Sequence, residues 1–488
     1  MSDDLLAAVC EALDVIVRAA QPYEGLVPSM IDRETGAMLT TIPEAVPGQR
    51  ATDRSHFGSN LLDDVPLLDT LDLIAEATAR PGYRAVADRY VARFATHCTR
   101  TPTGLFPWGE HAYWHLLDDR PGNSREYPRD DPGLIIHDHT NKAPPRLWER
   151  IHVANPEAVH AFADGLRYQY NDPNRPEYNR HAYLLRKDRY PIRDRSCDFP
   201  RYGSYYLLDW AFAYTCEDHP EYCRQIRQMA DYWWGKRYDE AGGLLSLESR
   251  GRDDELSGGQ TLATAISFLE AAALLGQDEP ELAAILTGRA ETYVDGFFAI
   301  PQDPDTGTFV TSCRQEDLEA GTFTARTDAE YELKAQPTWV RAYGGGSPIA
   351  GTARSLLTVF QLTGREACLD FARTVGEHYL EHPFPPGGTL AFEDASIKLE
   401  PSTRGTLDDD DEIPVRAGDV ATVIGLFCDL AEHDGSRWQS PAAELAHHAT
   451  EVYCDAPLPR ATVTMDHYES HLGGGQLLKA LARTALLK

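Results

Sequence analysis

The sequence predicts an all-α fold: an α/α toroid of six or seven helical hairpins, with long cleft-forming loops, as a single catalytic domain over residues 1–488. Three observations predict it. Apolar residues recur at three- and four-residue spacing from end to end. The helical stretches come in pairs joined by short turns. Successive pairs are separated by longer segments rich in Gly, Pro, Asp and aromatics, which in a closed ring gather around one cleft. No fixed sequence period favours an open solenoid.

The elements follow in order. Amphipathic spacing marks helices at 4–20, 67–79, 83–98, 155–170, 205–216, 222–237, 260–276 and 280–298. The second half adds 351–364, 366–381, 419–433, 441–454 and 474–487. Strand signals are short and weak, GTFVTSC (307–313) being an example, and TLDDDDEI (406–413) reads as a solvated acidic loop.

Composition narrows the function. Hydrophobic content of 42% and charged content of 25% are those of a soluble globular chain. With no long apolar run, no membrane span is expected. The start, MSDDLLAAVCEALDVIVRAA, is acidic and amphipathic rather than signal-like, so a cytoplasmic location is expected. A net charge of −30 argues against nucleic acid or an anionic membrane surface as partner. The nine cysteines are scattered without a CxxC pair, which implies reduced thiols and no cysteine zinc site. WVRAYGGGSPIAGTAR (339–354) lacks the ending of a phosphate loop, and MDHYESHLGGG (465–475) lacks HExxH.

Chemistry concentrates in the first half. His97, His111, His115, His137, His139, His152, His160 and His181 make up eight of the 17 histidines. Three stretches stand out. GLFPWGEHAYWHLLDD (104–119) offers His111 as a metal ligand, with Trp108 and Tyr113 as a sugar-stacking surface against a packing alternative. IIHDHTNK (135–142) places His137, Asp138 and His139 in tandem, and an extended strand would put the two histidines on one face. A histidine and carboxylate set suits Mn, Fe, Co, Ni or Zn. PEYNRHAYLLRKDRYPIRDRSCDFPRYG (176–203) is basic within an acidic protein, and Arg186, Arg189 and Arg201 there suit carboxylate binding. In TDRSHFGSNLLDD (52–64), His56 and Asn60 are candidates for sugar hydroxyls, with helix capping as the alternative for Asn60.

The order WGEH, an imidazole and carboxylate stretch, then NRH resembles the family 2 pectate lyases over roughly residues 55–210. The resemblance implies metal-dependent β-elimination on a uronate-containing, acidic oligo- or polysaccharide. It implies a divalent transition metal, Mn foremost, on His111 and His181, with one of His137, Asp138 or His139 between them. Arg180 matches the family's base. Because arginine holds its proton so strongly, Lys187 and Tyr183 stand beside it as candidates for that role. A second reading is a metal-independent α/α-barrel glycoside hydrolase or sugar epimerase. A hydrolase needs two carboxylates, and Asp209, Glu248, Glu393 and Asp394 are candidates. A third is a carbohydrate-binding toroid without catalysis.

Overall fold

The computed structural model describes residues 2–45, 49, 54–124, 136–138, 142–172, 175–189, 199–246, 255–300, 308–310, 312–314, 326–328, 331–333, 335–337, 349–391 and 412–487. Among them are fourteen α-helices. In chain order these are α1 (Ser2–Ala20), α2 (Val65–Ala77), α3 (Gly82–Arg93), α4 (Pro145–Ala154), α5 (Pro156–Gly165), α6 (Pro200–Cys216) and α7 (Pro220–Trp234). Then come α8 (Gly258–Leu275), α9 (Pro280–Phe298), α10 (Ile349–Thr363), α11 (Glu366–Glu381), α12 (Ala417–His433), α13 (Gln439–Tyr453) and α14 (Gly474–Leu486).

The even-numbered helices form an inner ring. α4 packs on α6, α6 on α8, α8 on α10, α10 on α12, α12 on α14 and α14 on α2. Ion pairs from Arg146 and Arg150 of α4 to Asp69 and Asp72 of α2 close the circle. The odd-numbered helices lie outside, with α1 against α14. Sequence composition sorts the two rings. In α6, thirteen of 17 residues are buried, so the helix is covered nearly all round. α7 buries only a stripe, Tyr222, Cys223, Ile226, Met229, Ala230 and Trp233. The outer helices α5, α7 and α9 each open with Pro–Glu, which suits a first helical turn and its dipole and allows an abrupt turn from the preceding inner helix.

Alternation has a consequence for the site. Connections from an inner helix to the next outer one are short: 78–81, 155, 217–219, 276–279, 364–365 and 434–438. Connections from outer to inner are long: 21–64, 94–144, 166–199, 235–257, 299–348, 382–416 and 454–473. All inner helices therefore point the same way, and the described parts of the long connections lie towards the face holding their N-termini. The described strands all belong to these loops. They include β1 (Met30–Asp32), β2 (Gly58–Ser59), β3 (Ala112–His115), β4 (Arg120–Asn123), β5 (Ile136–Asp138) and β6 (His181–Tyr183). β2, β3 and β4 form one antiparallel sheet, β5 pairs with β6, and β1 pairs with the strand His467–Glu469. No described helix is long and apolar enough to cross a membrane.

Candidate functional site

The loop face is held in place by buried polar bonds. Glu469, fully buried, accepts from Gln49 Nε2 (2.9 Å), Arg54 Nε (3.0 Å) and Arg54 Nη2 (2.9 Å), and it shares a hydrogen bond with His467 Nε2 (2.9 Å). The loop carrying Arg54 continues into β2. There Asn60 Nδ2 donates to the carbonyl of Gly109 (2.8 Å), tying this loop to the one that carries His111. Asp64 precedes α2 without exposure, and Tyr90 donates to its Oδ2 (2.7 Å). Burial pushes the Asp64 carboxyl well above the usual carboxylate range.

The three histidine-bearing stretches converge on this face. β3 lies beside β5, and β5 pairs with β6 in a register that sets Asp138 opposite His181. The NRH stretch is fixed from below by Tyr178, whose hydroxyl donates to the Phe199 carbonyl (2.5 Å) and accepts from the amide of Gly203 (2.9 Å). Gly203 is required there: a Cβ would stand 2.8 Å from Tyr178 Cε1 and 2.7 Å from Met229 Sδ. Arg180 is 9% exposed with its guanidinium over the Phe199 ring (5.1 Å to the centroid). His181 Nδ1 is hydrogen-bonded to Asn179 Oδ1 (3.2 Å). His111 is buried just before β3. Among the described residues no group of three or more His, Cys, Asp or Glu can hold a metal ion. His139, and the side chains of His137 and Asp138, lie outside the described residues.

Several residues expected to contact sugar are buried. Trp108 has no exposed surface and packs against Phe94, Phe106, Trp148 and Phe162, so its ring is core. Tyr113 is 1% exposed, wedged between Gly58 and Gly122, where any Cβ would meet its ring. Asn60 is spent on the loop contact above, and His56 is buried beside it. The basic stretch is divided. Lys187 is exposed, as are Arg186, bonded to Asp188 (2.7 Å) and lying over Tyr183, and Arg189, which donates to the Tyr170 carbonyl (3.0 Å). Tyr183 itself is buried. Arg201 stands in the first turn of α6 and donates to Tyr202 (2.9 Å). Asp209 is buried, accepts from Trp148 Nε1 (2.9 Å), and is pushed well above the usual carboxylate range by that burial. Glu248, Glu393 and Asp394 lie outside the described residues.

Sequence reasoning missed the centre of the ring. A cavity of about 660 Å³ occupies the bore, lined from α2, α4, α8, α10, α12 and α14. Its walls carry Lys142, Arg146, Arg354, Lys479 and Arg483. Three carboxylates are clasped by them. Asp69 accepts from Arg146 Nε (2.7 Å), Arg146 Nη2 (2.6 Å) and Lys479 (2.7 Å). Asp429 sits between Arg354 Nε and Arg483 Nη1, each at 2.6 Å. Glu270 accepts from Lys142 (2.7 and 2.8 Å). Burial works to raise the Asp69 and Asp429 carboxyls, but their cationic partners outweigh it, and both lie below the usual range. Burial likewise holds the Lys479 ammonium below the ordinary lysine range, and the Arg146 and Arg354 charges add to that lowering against the pull of Asp69. The available signal was one or two charges inside an apolar inner helix, as in ISFLEAAALL, GLFCDLAEH and LLKALARTALL.

No protein-family model and no curated protein matches the chain. Among solved structures it is similar to an unsaturated glucuronyl hydrolase specific for heparin, at 12% identity and a TM-score of 0.48, covering 99% of this chain and 98% of that one. It is similar to a family 76 glycoside hydrolase from a bovine Bacteroides thetaiotaomicron strain, at 13% identity and a TM-score of 0.44, covering 99% and 77%. A sugar epimerase from a ruminal bacterium is similar at 10% identity and a TM-score of 0.47, covering 83% and 93%. These are hydrolases and an epimerase, not lyases. The pectate-lyase resemblance, and the metal-dependent β-elimination and lyase class drawn from it, are corrected accordingly. The physical reason is that the resemblance rested on short motifs, whose Trp108 serves the core and whose Arg180 is buried under Phe199.

Proposed function

We propose that this chain is a glycan-acting enzyme, a glycoside hydrolase that takes an oligosaccharide into the bore of the toroid. One observation carries the reading: the bore is a polar cavity of about 660 Å³ whose wall holds the Asp429 carboxylate, five cations, and the hydroxyls and amides of Ser355, Thr358, Gln361, Thr422 and Gln476, with Asp69 and Glu270 bonded to the wall cations. That volume lies within the range of about 300–1,000 Å³ common to small-molecule sites. Its lining suits a ligand covered with hydroxyl groups.

Glycosidic hydrolysis needs two carboxyl groups in different protonation states across the bond. Asp69 and Asp429, each held by two cationic side chains, are kept ionised and suit the base or nucleophile. Among the described residues Glu270 has Lys142 alone as its ion-pair partner. That leaves Glu270 as the candidate for the acid role.

The test is a panel of neutral and uronate-containing oligosaccharides, followed by release of reducing ends. Glu270→Gln and Asp69→Asn are each expected to lower turnover on the order of 10²–10⁴-fold, the usual contribution of general acid–base catalysis. Wild-type turnover in Glu270→Gln removes the acid assignment. Conversion of a sugar without bond cleavage would replace hydrolysis by epimerisation, and an unsaturated uronate product would overturn hydrolysis outright.

A further inference from the structure

We propose that the bore recognises an anionic substituent of the sugar, a carboxylate or a sulfate, with Arg354 as the receiving fork and Lys479 beside it. This rests on the hydrolase reading above and names its substrate class.

The first argument is charge. Five cations, Lys142, Arg146, Arg354, Lys479 and Arg483, face the bore. Asp69, Glu270, Asp429 and the rim residue Glu432 answer them. Among the described residues, five against four leaves one positive charge at the centre of a chain whose net charge is −30. An acidic protein that concentrates surplus cation in a half-open polar cavity focuses anions there.

The second argument is geometry. Arg354 uses Nε on Asp429, and its Nη1 and Nη2 donate to nothing among the described residues. The side chain lines the cavity and is 34% exposed. Its guanidinium lies flat on α12 at Gly425, where a Cβ would stand 2.6 Å from Nη1. The missing side chain at Gly425 thus fixes the fork without using its donors. A guanidinium edge with two parallel N–H groups matches a carboxylate or sulfate in bidentate fashion. Lys479 spends one of its three donors on Asp69. Thr358 and Gln361 follow Arg354 on the same helix and also line the cavity, within reach of neighbouring hydroxyls.

The experiment is isothermal titration at low and moderate salt with three probes: trigalacturonate, its uncharged methyl ester and galactose 6-sulfate. An anionic probe is expected to bind at least about tenfold more tightly than the ester, the scale of one charge-assisted hydrogen bond. Arg354→Gln is expected to abolish that preference. Gly425→Ala, which displaces the fork but keeps its charge, is expected to weaken it. Tight binding by trigalacturonate alone assigns a carboxylate, and by the sulfated sugar alone a sulfate. Equal affinity for acid and ester, or a preference that survives Arg354→Gln, overturns the proposal. Anion preference without cleavage of any glycan would leave this site standing and remove hydrolysis. Cleavage of neutral glycans without anion preference would do the reverse.

Discussion

Replacing Glu469 by glutamine removes a charge from a place that water does not reach. The carboxyl is fully buried and accepts from Gln49 and twice from Arg54, which is itself 1% exposed. Burial alone would raise it. The hydrogen bond with His467 and the charge and hydrogen bonds of Arg54 outweigh burial and bring it from 4.5 down to about 2. Each tenfold loss of proton affinity on folding is worth about 1.4 kcal/mol, so linkage assigns this carboxylate roughly 3 kcal/mol of stability. Because the folded value lies below the unfolded one, that stability is complete above 4.5 and is lost as pH falls towards about 2. Glu469→Gln loses it at every pH and leaves Arg54 a buried cation without its counter-charge, at a cost of about 3–5 kcal/mol. Urea unfolding of both proteins at pH 7, 5 and 3 measures this. The expected result is a gap of about 3–5 kcal/mol at pH 7 and 5 that narrows clearly at pH 3. A gap below about 1 kcal/mol at pH 7, or one of the same size at pH 3, would refute the reasoning.

Two further substitutions test the placement of the loop face and of the core. Gly203→Ala drives a Cβ to within 2.8 Å of Tyr178 and Trp233, so it is expected to cost about 1–3 kcal/mol of overpacking. It should also speed amide exchange around residues 178–183, because Tyr178 anchors that segment; unchanged exchange there would detach the segment from α6. Trp108→Ala is expected to lose about 3–5 kcal/mol of stability while the folded fraction keeps its affinity for glycans. A variant of undiminished stability with weakened glycan binding would return Trp108 to the ligand.

Much of the architecture was legible because helical periodicity is local. The spacing in residues 205–216, 260–276 and 419–433 announces helices without any knowledge of their neighbours. One inner helix escaped. α4, PRLWERIHVA, is ten residues long, buries only Leu147, Trp148 and Ile151, and sits among prolines and charges, so its pattern is too brief to read. Apart from GTFVTSC (307–313), where strands Thr308–Val310 and Ser312–Arg314 lie, most loop strands escaped as well, since they are three or four residues long and are made by pairing across distant segments, as β1 is with the strand His467–Glu469.

The candidate site divides in the same way. Titratable residues crowded in sequence drew attention to His111, His137, His139, Arg180 and His181, and the structure does bring the backbones of those stretches together on one face. Sequence did not reveal which side chains reach open space. Trp108 and Tyr113 look like sugar platforms on paper, and only packing shows them enclosed. Asp69, Glu270, Arg354, Asp429, Lys479 and Arg483 are scattered charges in five largely apolar helices, unremarkable one by one. The chain by itself determined helices, pairing and a ring, because those follow from the spacing of apolar residues along a few turns. Only the tertiary structure decided that these charges, as many as 414 residues apart in sequence, meet around one cavity, four in its wall and Asp69 and Glu270 bonded to wall cations, because that depends on how the inner helices close and which side each turns inward.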